Sequence, residues 1–291
     1  MFREGLLKGK RILVTGGGTG LGKEIAARYL ALGAELWICG RRGAVLEETA
    51  RELAAKHGGS VRAHAVDIRD AQAVDAMVQR IWDEAGPLTG LVNNAAGNFI
   101  SPTKDLSPNG FNAIASIVFH GTFYVTHAVG RRWIRDGVRG TVISILVTWV
   151  WNGSPYVVPS AMSKAGLHVM TKSLAVEWGK YGIRLNAIAP GQFPTEGAMK
   201  RLRPDGSAED GAARNPMRRI GQMPELQNLA TFLMADGCDW LTGETIAVDG
   251  AGWLATGGNF AELDRLSDAD WDRMRALIKS QNEKDRAGRS A

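Results

Sequence analysis

Short apolar runs alternate with longer amphipathic segments along almost the whole chain. The first run, residues 11–14, predicts a buried strand, and residues 23–32 predict a helix because Ile25, Tyr29 and Leu30 recur at helical spacing. Regular alternation of this kind predicts a doubly wound α/β fold, a parallel sheet with helices on both faces. The predicted strands are 11–14, 34–39, 61–66, 88–92, 141–147, 183–188 and 245–248, and the predicted helices are 23–32, 44–57, 71–84, 108–135, 159–180 and 225–234.

The pattern shows no linker, repeat or low-complexity tract before the final residues, so it predicts one domain with its core at about residues 8–250. Residues 191–221 are rich in glycine, proline and charge and follow a strand end, which predicts a mobile lid over a ligand site or else a plain surface loop. Residues 253–291 are expected to form a helical extension.

Within this extension, a helix start is predicted at residues 267–270. An apolar stripe follows, and it is expected to pack on the body or on another subunit rather than to form a site. The last residues, 283–291, are polar and are expected to be frayed. The stripe consists of Trp271, Met274, Leu277 and Ile278.

Composition excludes several classes of function. The 291 residues carry 35 Lys and Arg against 30 Asp and Glu, a net charge of +5 without a dense basic tract, which argues against nucleic acid and suits an anionic small molecule. No apolar run approaches the ~20 residues of a membrane span, and the N-terminus has no signal core. Cys39 and Cys238 give neither a disulfide framework nor metal-ligand spacing, so we expect no metal site, a buried Cys39 and a cytoplasmic location.

A glycine-rich turn, residues 15–22 with the sequence TGGGTGLG, joins the first strand to the first helix. Glycines permit a tight turn and let a pyrophosphate approach backbone N–H groups, and a helix N-terminus attracts the anion. The strand–turn–helix context therefore predicts dinucleotide binding, with an ordinary tight turn as the alternative. The candidate residues are Gly16, Thr19, Gly20, Leu21 and Gly22.

The end of the second strand indicates which dinucleotide binds. An acidic side chain there would accept from the adenine ribose and repel a 2′-phosphate. Here Gly40 is followed by Arg41 and Arg42, two guanidiniums suited to phosphate. The sequence therefore favours NADP(H), with Arg41 binding its 2′-phosphate. The alternative is that both arginines form the solvated start of a helix.

Further motifs, in order and spacing, resemble the short-chain dehydrogenase/reductase family over roughly residues 8–250. They are Asp67, the Asn-Asn-Ala-Ala-Gly block at 93–97, Lys164, and the Pro-Gly pair at 190–191. The resemblance implies a single Rossmann-like domain. It also implies that Asp67, Asn94, Ala95, Lys164, Pro190 and Gly191 join the glycine turn in binding the cofactor.

Three blocks, residues 94–103, 157–166 and 177–182, resemble more narrowly the 2,4-dienoyl-CoA reductases of that family, especially the mitochondrial type. This resemblance implies NADPH-dependent reduction of an unsaturated acyl-CoA, as in fatty-acid β-oxidation. It also implies a homotetramer that pairs the long helices at 108–135 and 159–180. In the predicted lid, Lys200, Arg201 and Arg203 are candidates for the phosphates of CoA or for an ordinary solvated loop.

The chain departs from the larger family at three catalytic positions. Ser160 stands four residues before Lys164, where carbonyl reductases have tyrosine, Val147 replaces the family's serine, and His120 replaces the helix asparagine. Ordinary carbonyl reduction is therefore disfavoured. Histidine is a common general base, but for His120 a satisfied structural histidine is the favoured interpretation.

Dienoyl-CoA reductases share the Ser160 and Lys164 positions and use an asparagine that matches Asn98, but their tyrosine is replaced here by Trp149. Conjugate reduction places negative charge on the thioester oxygen, which requires hydrogen-bond donors, and an indole N–H is a donor. We therefore predict Lys164, Ser160, Asn98 and Trp149 as the catalytic set. Three alternatives stay open: Trp149 only walls the pocket, Tyr156 acts as a displaced acid in a carbonyl reductase, or the chemistry has lapsed and the chain only binds NADP(H). Packing is the favoured role for Tyr156.

Overall fold

The structure is a computed structural model, and it describes residues 1–195, 212–255, 263 and 266–289. The strands are β1 Arg11–Thr15, β2 Glu35–Gly40, β3 Val61–Ala65, β4 Gly90–Asn93, β5 Gly140–Ile145, β6 Ile183–Pro190 and β7 Thr245–Val248. The helices are α1 Gly20–Ala31, α2 Gly43–His57, α3 Ala71–Ala85, α4 Pro108–Ala115, α5 Thr122–Asp136, α6 Trp149–Asn152, α7 Val158–Gly179, α8 Met223–Met234, α9 Gly252–Ala255 and α10 Asp268–Arg289. A 3-10 helix spans Thr103–Asp105, and a π-helix spans Ser116–Gly121.

The described strands form one parallel seven-stranded sheet in the order β3-β2-β1-β4-β5-β6-β7. The chain moves outward from β1 to β3 and then returns to pair β4 on the other side of β1. Ligands of such sheets bind beyond the carboxyl ends of the strands, at this reversal. The predicted α/β fold is confirmed, and a ligand site is expected at the sheet edge that follows Thr15 and Asn93.

Both faces of the five inner strands, β2, β1, β4, β5 and β6, are buried, as expected for parallel strands, while the edge strands β3 and β7 are partly exposed. Successive side chains of β1 point to opposite faces, so Ile12 and Val14 join the core beneath α1, α2 and α8, while Leu13 joins the core beneath α3, α5 and α7. Cys39 is fully buried in the second core, as predicted. Its burial raises the pKa of the thiol to about 12.

The predicted long helix at 108–135 exists, but it is not a uniform α-helix. Its middle, Ser116–Gly121, is a π-helix, where Gly121 packs so closely on Ile68 that a Cβ would lie 2.7 Å from Ile68 Cγ1. The stretch Pro108–Asp136 is 29 residues long and apolar enough to cross a membrane by length and composition alone. However, 56% of its most apolar window is buried inside the protein, as in a core helix.

Strand β5 ends at Ile145 rather than at residue 147, and the chain turns at once into the short helix α6. No sequence pattern predicted this helix. It carries Trp149 and is stabilised by few backbone bonds of its own, such as Gly153 N–H to the Trp149 carbonyl at 2.9 Å.

The chain divides into two compact units, Met1–Trp253 and Leu254–Ala291, and the second coincides closely with the predicted extension. The predicted helix start is confirmed, because Ser267 N–H donates to Asp270 Oδ2 at 2.9 Å before α10. The helix continues through Arg289, so the expected fraying from residue 283 is wrong. In the predicted stripe, Leu277 and Ile278 are exposed, and its packing partner stays a prediction.

Candidate active site

The glycine turn forms an open cradle at the start of α1. Gly16 has φ +65°, a left-handed conformation that favours glycine, and a Cβ on Gly22 would lie 2.4 Å from Asn94 Nδ2. Thr19 caps α1 without a side-chain hydrogen bond, and the first turn carries no acidic residue. Within the described residues, no side chain caps the N–H groups at this helix end, so they are available to an anionic ligand, and the turn fits a pyrophosphate.

A hydrogen-bond network fixes this cradle to the loop after β4. Thr15 Oγ1 accepts from the backbone N–H groups of Asn94 and Ala95, both at 3.0 Å. In return, Asn94 Nδ2 donates to the carbonyls of Thr15 at 3.0 Å and Gly16 at 3.2 Å. The predicted cofactor residues Asn94 and Ala95 are thus brought to the glycine turn, and the Asn94 amide shapes the turn itself.

The far end of the site, beyond β2 and β3, is basic. Arg41 and Arg42 are both exposed. Asp67 is paired with Arg69, whose Nε lies 3.0 Å from Oδ1 and 2.9 Å from Oδ2. This hydrogen bonding by Arg69, together with the charge of Arg41, holds the pKa of the Asp67 carboxyl below its usual range. Within the described part of the chain, Arg41 forms no ion pair, so its guanidinium is left for a ligand.

Lys164 lies at the centre of the sheet edge. Its side chain is 5% exposed, and Nζ donates to the carbonyl of Ile145, the last residue of β5. Burial lowers the pKa of this ammonium to about 8. Ser160 lies one turn earlier on the same face of α7 and is also buried. Ser160 and Lys164 therefore lie together on one buried face of α7, and their catalytic role stays a prediction.

Asn98 and Trp149 lie in the segments that follow the adjacent strands β4 and β5. Asn98 Oδ1 accepts from Phe99 N–H at 2.9 Å, which leaves Nδ2 to donate. Trp149 is half-buried, and its indole N–H has no partner among the residues that the structure describes. Both residues therefore offer a hydrogen-bond donor that no described part of the chain uses.

Two sequence-based interpretations are wrong. Tyr156 was expected to pack, yet its side chain is 57% exposed and its backbone has φ +64°, rare for a bulky residue. His120 was expected to be a satisfied structural residue, but it is exposed on the π-helix. Its ring contacts those of Phe119 and Tyr124, with centroids 5.6 and 6.3 Å apart.

The strand β6 brings another segment to the cradle. Gly191 N–H donates to the Val248 carbonyl at 2.9 Å, so the predicted Pro-Gly pair fixes the end of β6 beside β7. A few residues later, Thr195 lies 4.0 Å from the position of a Cβ on Gly20. Sequence reasoning missed Thr195, although its place just after the Pro-Gly pair was a usable signal. The lid residues Lys200, Arg201 and Arg203 lie outside the described residues.

The described part of the chain contains no cluster of His, Cys, Asp and Glu that could hold a metal ion. The site therefore offers four kinds of group: an anion cradle, a basic rim, a buried lysine and two uncharged donors. Such a set can bind a phosphorylated cofactor and stabilise developing negative charge on a substrate oxygen.

Comparison with known proteins shows what this chain is similar to. Residues 16–252 match the family described as enoyl-(acyl carrier protein) reductase. A probable 2,4-dienoyl-CoA reductase, (3E)-enoyl-CoA-producing, from Caenorhabditis elegans is 40% identical, with 99% of this chain and 95% of the relative covered. Its counterpart from Bacillus subtilis, (2E)-enoyl-CoA-producing, is 39% identical over 84% and 97%. The crystal structure of a short chain dehydrogenase from Bacillus anthracis superimposes with a TM-score of 0.76 at 38% identity, covering 84% of this chain and 96% of that one.

Proposed function

Since this chain belongs to the short-chain dehydrogenase/reductase family of oxidoreductases, we propose that it uses NADPH to reduce a 2,4-dienoyl-CoA or a related unsaturated acyl-CoA thioester. The observation that carries the proposal is a pair of donors without a partner among the described residues, Asn98 Nδ2 and the Trp149 indole N–H. They lie in the segments that follow β4 and β5, and the buried Lys164 donates to the last residue of β5. Neither donor can supply a proton as an acid at neutral pH. Their chemistry suits stabilisation of an oxyanion better than protonation of an alkoxide.

The cofactor residues fit a phosphorylated nicotinamide nucleotide. The cradle at Gly16–Gly22 receives the pyrophosphate at the uncapped start of α1, and Arg41 receives the 2′-phosphate. Lys164 holds the nicotinamide ribose through a charge-assisted hydrogen bond. When bound, NADPH supplies the hydride that adds to the conjugated carbon chain.

The protein's own part in the reaction is electrostatic. As the diene accepts a hydride, one electron pair moves through the conjugated carbons and negative charge collects on the thioester oxygen. Asn98 and Trp149 donate hydrogen bonds to that oxygen, a role in which one donor is commonly worth ~10²–10³ in rate. A proton then passes from water to carbon, which balances the addition of hydride and gives a mono-unsaturated thioester.

The proposal is tested by following NADPH absorbance with a panel of substrates. We expect absorbance to fall with a 2,4-dienoyl-CoA and not with simple ketones. Activity on ketones alone would instead favour a carbonyl reductase that uses Tyr156. Absence of turnover with either class, together with NADPH binding, would indicate a binding protein whose chemistry has lapsed. Chromatography of the product separates a 3-enoyl from a 2-enoyl thioester.

We also propose that the protein is a homotetramer that works in the cytoplasm. The π-helix, α5 and α7 expose apolar side chains that a second copy would cover, Phe119, Phe123, Val169 and Val176. The free thiols of Cys39 and Cys238 suit a reducing compartment. A monomeric mass by light scattering at micromolar concentration would refute the assembly, and cell fractionation tests the location.

A further inference from the structure

Two tryptophans distant in sequence stack on each other beside the proposed donor Trp149. The rings of Trp151 and Trp253 are nearly parallel, with centroids 4.6 Å apart and an interplanar angle of 26°. The edge of the stack is closed by His168, whose ring meets that of Trp151 at 76° and 6.1 Å. We call Trp151, Trp253 and His168 the tryptophan clamp. Offset-stacked and edge-on rings of this kind attract each other beyond the effect of area burial alone.

The clamp is hydrogen-bonded to β7 and to the residue that follows it, Asp249. The backbone N–H of Trp253 donates to Asp249 Oδ2 at 2.8 Å, and the backbone carbonyl of Asp249 accepts from Asn215 Nδ2 at 2.6 Å. His168 Nδ1 lies 2.9 Å from Thr245 Oγ1 on the strand itself. Trp253 and His168 are therefore tied to the sheet independently of α6, and they provide a fixed surface for Trp151.

Helix α6 needs such a surface because it cannot fix its own orientation. It has four residues, none of them fully buried, and no side-chain cap, and isolated helices so short are marginal in water. Its contacts with the core come from Val150, which packs on the cluster of Ile114, Val118 and Leu146. Val150 anchors one side of the helix, and Trp151 provides the second anchor that stops rotation.

The helical geometry connects the clamp to the reaction. Residues two apart on an α-helix are turned by about 200° around its axis, so stacking of Trp151 on Trp253 directs the Trp149 side chain away from the stack. Hydrogen-bond donation to a developing oxyanion depends steeply on position, and a misplacement of about 1 Å can cost ~10²-fold in rate. A rotation of α6 would leave Trp149 in the protein but out of line with the thioester oxygen.

We propose that Trp253, acting through Trp151, is a positioning residue for Trp149, and that the clamp sets the direction of its indole N–H during reduction. This inference rests on the proposed function, because it presupposes that Trp149 donates to the substrate. It adds that the segment after β7, which contributes none of the proposed catalytic groups, controls kcat.

The test is a double-mutant cycle with Trp253→Leu, Trp149→Phe and the double variant, measured as kcat and KM for a 2,4-dienoyl-CoA and Kd for NADPH. We expect Trp253→Leu to lower kcat by about 10–100-fold, with NADPH Kd changed less than about twofold. In the Trp149→Phe background the same change should have no further effect on kcat. Trp253→Phe, which can still stack, should recover most of the activity.

Two further variants provide a control and an independent disruption of the stack. Trp240→Leu removes a fully exposed tryptophan and is the matched control, with wild-type kcat expected. Trp151→Leu breaks the same stack from the other side and should reproduce Trp253→Leu. Circular dichroism reports the stack directly, because the exciton couplet of two stacked indoles should disappear in both clamp variants and persist in the control.

Wild-type kcat in Trp253→Leu, together with loss of the couplet, would overturn the clamp proposal. So would a kcat loss in the double variant equal to the product of the losses in the two single variants. Neither result affects the donor role of Trp149, provided that Trp149→Phe alone is impaired. A Trp149→Phe enzyme with wild-type kcat would instead remove the donor role, and the clamp proposal with it. The single variants therefore separate failure of the inference from failure of the proposed function.

Discussion

Reversing the charge of Arg41 should switch the cofactor preference of the enzyme. Arg41 follows β2, is exposed, and forms no ion pair with the described residues, while Asp67 near it is already held by Arg69. Arg41→Asp therefore removes an available guanidinium and leaves a carboxylate facing the 2′-phosphate. NADH lacks that phosphate, so its affinity should be equal or better in the variant.

The loss of NADPH affinity expected for Arg41→Asp depends on how exposed Arg41 is. A hydrogen bond to a charged group is worth about 1.5–3 kcal/mol, and an exposed arginine lies at the lower end of that range. The new carboxylate adds repulsion that the wild type does not have. Together they give about 2–3 kcal/mol, which is about 30–150-fold in NADPH Kd at 25 °C.

The assay is a titration of NADPH and NADH by protein fluorescence at about 0.15 M salt, where exposed charges are screened over ~8 Å. Arg51→Asp is the matched control. Arg51 is exposed on α2, about 12 Å along the helix from its first residue, Gly43, and the substitution makes the same change in charge. Unchanged NADPH Kd in Arg41→Asp, or an equal loss in Arg51→Asp, would refute the assignment of the 2′-phosphate to Arg41.

Three other results are expected. Trp149→Phe should lose ~10²–10³ in kcat with NADPH affinity preserved. Trp149→Tyr should retain or raise activity, because tyrosine again provides a hydrogen-bond donor at this position. Similar behaviour of the two variants, with modest changes in KM alone, would indicate that Trp149 only lines the pocket. Because burial lowers the pKa of Lys164 to about 8, kcat/KM should fall as the pH rises through that value, and Lys164→Arg should give a flat profile there, since guanidinium stays protonated. Asp75→Asn should lower the free energy of unfolding by about 1–3 kcal/mol, because it removes the carboxylate that pairs with the buried Arg132 at 2.6 Å. The loss is measured as a lower melting temperature, and Asp105→Asn, at an exposed position, is the control. Hydrogen bonding from Arg132 lowers the pKa of Asp75 to about 2, so this contribution is full above pH ~4 and is lost as the pH falls through about 2.

The parts of this protein that the sequence determined are those set by local rules. Strand β7 was predicted with the bounds that the structure shows, and the other strands and most helices differ from prediction by a few residues at their ends. The glycine turn was recognised because a strand, a tight turn and a helix follow one another in the chain. Ser160 and Lys164 could be paired from their spacing, since residues four apart on a helix share a face.

Other features depended on contacts between distant segments, and no local pattern encodes them. The π-helix ends at Gly121, which packs against Ile68 of another segment. At Tyr156, where φ is +64°, the carbonyl accepts from the distant Ser101 N–H at 2.9 Å, and the exposure of His120 is likewise visible only in the folded chain. Spacing and periodicity report only what a residue's near neighbours in the chain impose, so these predictions were wrong or absent.

The site shows the same division. The sequence supplied the candidate donors Asn98 and Trp149 and the basic pair after β2, because residue type and strand ends are readable from the chain. Only the tertiary structure brought Trp151 against Trp253 and left the Trp149 indole without a partner in the described residues. Orientation of a side chain is decided by what packs on its element from elsewhere in the fold, and the conformation of α6 is therefore a property of the folded protein rather than of its four residues.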